Sequence, residues 1–137
     1  MSANESFEIQ QIAVENLIFD PQNPRLPTTR HGKNETEVLR YLIEEANLLE
    51  LVYSIAQQGY FPGEPLLAIP DETQSGRYVV VEGNRRLAAV KLINNPQLAP
   101  IREDSIREAV SSGQNKHIES IPTLVYQTRK EILSYLG

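Results

Sequence analysis

The 137-residue sequence contains no cysteine. That excludes disulfides, thiolate metal sites and every mechanism built on a cysteine nucleophile. It has no tryptophan, and only two histidines, His31 and His117, neither with an acidic partner at metal-ligand spacing. No apolar run approaches the roughly 18–20 residues needed to span a bilayer. The opening "MSANESFEIQ" has neither the basic nor the apolar region of a signal peptide. A cytoplasmic protein making no membrane contact is expected. Positive charge is also scarce. Thirteen Lys and Arg stand against eighteen Asp and Glu, a net charge of −5 and the wrong sign for a domain that coats duplex DNA.

The charge that is present is uneven. From Arg77 to Lys91 four cations (Arg77, Arg85, Arg86, Lys91) face one anion (Glu82), giving +3. From Glu35 to Glu50 five glutamates face Arg40, giving −4. A small basic focus in an acidic body suits a phosphate-bearing small molecule better than a long polyanion.

Hydrophobic 40% and charged 23% are the proportions of an ordinary globular chain, most simply one domain over residues 1–137. "FEIQQIAV" (Phe7–Val14) alternates as a strand does. "DPQNPRLP" (Asp20–Pro27) carries three prolines in eight residues and is an extended, turn-bounded loop that "TTRHGKN" continues. Asn34 with Glu37, and Asn47 with Glu50, read as helix-start signals, each followed by apolar residues at helical spacing. Gly59 is placed to end the second helix. "PLLAIP" (65–70) and "RYVVVE" (77–82), joined by a polar turn, predict a hairpin. A helix is expected from about Asn84 to Ile93, another over Ile101–Gly113, a strand over Ile121–Tyr126, and a last helix in "TRKEILSYLG". That helix ends the chain without a polar tail, and a piece of a longer protein is expected.

The stretch "VVVEGNRRLAAVKLI" (79–93) carries the most chemistry. A strand that turns directly into a helix leaves unpaired N–H groups and a partial positive charge at the turn. Gly83 has no side chain to block a ligand from the backbone. Asn84 suits a helix cap, and Arg85 and Arg86 can fork onto phosphate oxygens. Ala88 and Ala89 keep the helix slim. Glu82 either orients an arginine or a water, or simply ends its strand beside Arg77. Asn23 and Arg25, a polar pair held rigid among prolines, are candidate ligand contacts. Tyr53, Tyr60 and Phe61 could stack on a base, but the residue pattern favours packing at the helix-to-strand corner. The adjacent pairs Glu44–Glu45 and Glu103–Asp104 diverge by about 100° on a helix and do not make a metal site.

These segments resemble the ParB N-terminal domains of the ParB/sulfiredoxin superfamily. "YVVVEGNRRLAAVKLI" is similar to the family's Gly-Glu-Arg-Arg box and "FDPQNPRLP" to its Pro-Arg box. "LVYSIAQQGYFPGEPLLAI" resembles its linker and "SIPTLVY" its later Ile-Pro strand. The resemblance implies an α+β fold, a small mixed sheet with surrounding helices. It also implies a nucleoside triphosphate, ATP or CTP with Mg, held by Gly83, Asn84, Arg85 and Arg86, with Arg25 closing over the phosphates. Asn84 stands where sulfiredoxins place a cysteine, which excludes sulfinic acid repair. It also replaces the Glu of ParB proteins. Their magnesium-binding Glu-Asn pair has only Glu131 as a loose counterpart, in "QTRKEIL". Glu82-Gly83-Asn84 with Arg86 further resembles the Asp-Gly-Gln-x-Arg box of bacterial DNA-modification and phage-defence proteins, which is linked to nucleotide hydrolysis or to sensing modified DNA.

The function expected from this is a nucleotide-binding switch or slow NTPase in a DNA-associated, bacterial-type partition or defence system, with Glu82 the candidate catalytic residue. A homodimer is an expected state, and any DNA contact is expected through regions beyond this chain. The alternatives are a ParB-like nuclease, which needs clustered acidic metal ligands, and a non-catalytic DNA- or partner-docking domain.

Overall fold

The computed structural model describes residues 9–27 and 34–136, and of Tyr135 only the backbone. His31 and the rest of Thr28–Lys33 lie outside the described residues, as do Phe7 and Glu8. The chain folds as two compact units. One comprises residues 1–20, 62–84 and 119–137, and the other residues 21–61 and 85–118.

The first unit holds the whole sheet: β1 (Ile9–Ala13), β2 (Leu17–Phe19), β3 (Leu66–Pro70), β4 (Tyr78–Glu82) and β5 (Ser120–Val125). Their order is β1-β5-β3-β4-β2. The hairpin expected from "PLLAIP" and "RYVVVE" forms as antiparallel β3 and β4, with a register shift between Leu67 and Ala68. Its turn is held by Asp71, whose Oδ1 accepts from the Thr73 N–H at 2.9 Å and the Thr73 hydroxyl at 2.8 Å. Those two donors favour the charged form and hold the Asp71 carboxyl below its ordinary value. β3 runs parallel to β5, and β2 parallel to β4, while β1 pairs antiparallel with β5. The sheet is therefore mixed. β2 is three residues of "LIF", too short to show an alternating pattern, and the sequence reading missed it. Helix α5 (Arg129–Leu136) covers part of the sheet, with Ile132 packed in a cluster with Leu67 and Tyr126.

The second unit is helical: α1 (Glu35–Glu45), α2 (Leu48–Gln58), α4 (Glu103–Ser111) and, from Arg85 on, α3 (Asn84–Asn94). Asn34 caps α1 as expected, its Oδ1 accepting from the Glu37 N–H at 3.2 Å. Asn47 does not do the same for α2. It sits in the left-handed region at φ 52° without a side-chain cap bond, because α1 ends only two residues earlier and the chain must reverse there. α3 buries Leu87, Ala88, Ala89, Val90, Leu92 and Ile93, side chains on every face, the mark of a helix enclosed in a core. Each fully buried Leu or Ile contributes about 1.5–3 kcal/mol. The end of α3 is fastened by Asn94, which donates to the Ile118 carbonyl at 2.8 Å and accepts from the Ile118 N–H at 2.7 Å.

Candidate functional site

The β4–α3 turn is where strand chemistry stops and helix chemistry starts. β4 ends on Glu82, whose side chain is exposed. Gly83 follows at φ 106°, a conformation that side-chain-bearing residues rarely adopt, and the next residue opens α3. The glycine therefore serves the turn's geometry whether or not a ligand approaches it.

Asn84 is 6% exposed, and its side chain does not act as the simple helix cap read from the sequence. Its amide reaches away from its own helix. Nδ2 donates to the Val80 carbonyl at 2.8 Å and Oδ1 accepts from the Asp20 N–H at 3.3 Å. One amide thus ties the last turn of β4 to the chain just past β2. Asp20 itself is 2% exposed and carries a carboxylate, which Arg129 neutralises with a two-pronged ion pair, Nη2 to Oδ1 at 3.0 Å and Nη1 to Oδ2. Asn84, Asp20 and Arg129 form a polar cluster inside the first unit. Sequence reasoning missed it, because Asp20 and Arg129 lie 109 residues apart and no local pattern pairs them.

Arg85, in the second unit, is partly committed. Its Nε donates to the Ala46 carbonyl at 2.7 Å and its Nη2 to the Asn47 carbonyl at 3.0 Å. These carbonyls stand at the C-terminal end of α1, where a cation is favoured by the unsatisfied acceptors and the helix dipole. Two of the five guanidinium N–H donors are used in this way. Arg85→Ala is expected to destabilise the chain by about 2 kcal/mol, within the roughly 1.5–3 kcal/mol of a single hydrogen bond to a charged group. The bond to Ala46 is part-buried, while the one to Asn47 is exposed to water and adds little. Arg85→Lys should recover only part of that, because an ammonium cannot span both carbonyls as the planar fork does. Urea unfolding followed by far-UV circular dichroism reads both. An alanine variant as stable as the parent would remove this role.

The remaining expected site residues fall elsewhere. Arg25 is exposed, and Asn23 Oδ1 accepts from the Arg25 N–H at 2.9 Å, holding the proline-rich loop in a local turn. Arg86 is half-buried. Lys91, part of the same basic focus, faces Glu35 at 3.4 Å. Tyr53 and Phe61 do not pack the corner as expected: they are 52% and 65% exposed. His117 is exposed.

Glu131 takes part in a helix cap through one carboxylate oxygen. Its Oε1 accepts from the N–H groups of Gln127 and Thr128 at 2.9 and 3.2 Å, and its own N–H donates to Thr128 Oγ1 at 3.2 Å. That is a capping box at the start of α5. Among the described residues no three His, Cys, Asp or Glu side chains gather where they could hold a metal ion. The side chains placed here do not fit a protein-borne magnesium site.

A mixed five-stranded sheet with helices, in which a strand passes through a positive-φ glycine into an arginine-bearing helix, defines an α+β domain of the ParB/sulfiredoxin type. The chain belongs to the ParB N-terminal domain family, whose profile matches residues 25–121. Among solved structures it is similar to the C-terminally truncated chromosome-partitioning protein ParB of Caulobacter crescentus complexed with CTP-γ-S. That pair is 20% identical with a TM-score of 0.54, covering 94% of this chain and 49% of that one. The same protein complexed to its centromeric parS site gives 22% identity and a TM-score of 0.48, over 92% and 45% of the two chains. Sulfiredoxin of Arabidopsis thaliana gives 15% identity and a TM-score of 0.43, over 93% of each chain. A curated relative is a nonribosomal peptide synthetase, NotE, of Aspergillus sp. (strain MF297-2), 26% identical over 111 residues. The match takes in 74% of this chain and 5% of that protein. The chain thus spans about half of the ParB structure it resembles and a small fraction of the synthetase.

Proposed function

We propose that the β4–α3 turn binds the phosphates of a nucleoside triphosphate, CTP or ATP. The observation that carries the proposal is the turn itself: a glycine at φ 106° opening directly onto the first residue of α3, in a chain of the ParB N-terminal domain family. Such a turn presents backbone N–H donors and the positive end of a helix dipole to an anion. Arg86 supplies a guanidinium from the first turn of α3, and Arg85 keeps its Nη1 donors for the same phosphates while its other donors hold α1. Arg25 and Asn23 are the expected contributors from the proline-rich loop. The CTP-γ-S complex of the Caulobacter relative supports nucleotide as the ligand class.

Magnesium would enter with the nucleotide, while Glu131 helps to cap α5. Switch-like binding fits these residues better than rapid turnover. Exposed Glu82, the residue before Gly83, is the candidate for orienting a water, and phosphoryl transfer would depend on positioning and charge neutralisation. A nuclease finds no clustered metal ligands among the described residues. Homodimerisation on nucleotide, and DNA contact through sequence outside this chain, complete the proposal.

Amide-proton NMR with CTP or ATP, each with magnesium, tests where the ligand sits. The expected result is shifts centred on Gly83, Asn84, Arg85 and Arg86. Shifts centred elsewhere, with that turn unmoved, would overturn the assignment.

A further inference from the structure

Two helices of the second unit, α2 and α4, pack against each other and are fastened at one end. At the fastened end the backbone at Gly113 lies against Ala56 so closely that an added Cβ would collide with the Ala56 carbonyl. That carbonyl accepts from the N–H groups of Gln114 and Asn115 at 3.0 and 2.9 Å and from Asn115 Nδ2 at 3.2 Å. Gln57 Nε2 also reaches across to the Ser112 carbonyl and hydroxyl, at 3.0 and 3.1 Å. These bonds fix the distance between the helices. Beyond them a groove of about 610 Å³ opens, lined from α2 by Leu49, Glu50 and Tyr53 and from α4 by Ser105, Glu108 and Ala109.

Its volume is within the range of ligand-binding clefts, roughly 300–1,000 Å³. Its chemistry is of one sign. Leu49, Ala109 and the Tyr53 ring, 52% exposed, make an apolar surface, and each wall adds one exposed carboxylate, Glu50 and Glu108. Among the described residues, no lysine or arginine is in its lining. Arg85, which reaches the Asn47 carbonyl at one end, is held by the carbonyls there.

We infer that the α2–α4 groove is a docking site for a cationic peptide segment, one that carries arginine or lysine on either side of an apolar anchor. The two carboxylates take the cations, the Tyr53 ring face offers a further cation–π contact, and the apolar surface takes the anchor. Charge complementarity selects this occupant. Nucleic acid would meet both carboxylates, and a second copy of a chain with net charge −5 would place like charges together. Arg85 touches one end of the groove through the Asn47 carbonyl, but none of Glu50, Tyr53 and Glu108 is assigned to the nucleotide, so the inference does not rest on nucleotide binding.

The test uses an acetylated, amidated peptide of alternating arginine and leucine, titrated into the chain and followed by amide-proton NMR. Shifts are expected at Glu50, Tyr53, Ser105 and Glu108. Glu50→Lys plus Glu108→Lys should weaken binding at least tenfold. Glu72→Lys plus Glu119→Lys, which changes net charge equally at exposed positions outside the groove's helices, should weaken it by no more than about twofold, the scale expected of screened charges. Equal weakening by both double variants would show general attraction to an acidic protein and overturn the proposal. Absence of binding at millimolar peptide would overturn it too. So would a dimer of the parent that Glu50→Lys plus Glu108→Lys dissolves, since the occupant would then be a second copy.

Discussion

Arg129→Ala should lower stability by about 3–5 kcal/mol, the range for removing one partner of a buried ion pair. Asp20 is 2% exposed, so without the guanidinium its carboxylate is left in a site with little water to solvate it. The arginine side chain is 26% exposed, which makes the pair asymmetric. Asp20→Asn should therefore cost less than Arg129→Ala, because a stranded guanidinium can turn toward solvent and the amide can still accept from it. Replacing both members with apolar residues of similar size should cost less than the sum of the single changes. The Asp20 N–H is held by Asn84, so the damage should spread to the β4–α3 turn. Urea unfolding by far-UV circular dichroism suits a chain without tryptophan. An Arg129→Ala variant within about 0.5 kcal/mol of the parent, the usual surface range, would show that the pair does not act as a buried one.

Gly113→Ala should be the second most damaging of these changes, by about 1–3 kcal/mol. The added Cβ would stand 2.6 Å from the Ala56 carbonyl carbon and 2.8 Å from the Ala56 Cβ. Both are parts of a helix that cannot rotate aside as a flexible side chain would. Relief requires α2 and α4 to move apart, stretching the bonds from Gln114 and Asn115 to the Ala56 carbonyl. Gly113→Val should be worse. A Gly113→Ala variant as stable as the parent would mean the helices yield easily, and would remove the rigid spacing that the groove depends on.

Much of this architecture is legible in local sequence, and the reason is physical. The β3–β4 hairpin, the Asn34 cap and α3 are each specified by residues within a dozen positions of one another. The β4–α3 turn is legible for the same reason, since Gly83 and the arginines are adjacent. What the sequence does not disclose is which distant partner a polar side chain selects. Asn84 reads as a cap by type, yet its amide goes to Val80 and Asp20. Arg85 reads as a phosphate ligand, yet two of its donors close the end of α1, thirty-eight and thirty-nine residues away. Glu131 reads as a loose metal ligand, yet the Thr128 signal three residues earlier makes it a cap, and that pattern was available in the sequence. Tyr53 and Phe61 read as packing at the helix-to-strand corner, but exposure is decided by neighbours that only the fold supplies.

The central claim is that the β4–α3 turn binds a nucleoside triphosphate. It is tested most directly by calorimetric titration of CTP and of ATP, each with magnesium, into the parent chain and into Arg86→Ala. Saturable binding of at least one of the two nucleotides by the parent is expected, weakened at least tenfold in the variant, which is about 1.4 kcal/mol. Binding that Arg86→Ala leaves unchanged, or no binding of either nucleotide by the folded chain, would contradict it.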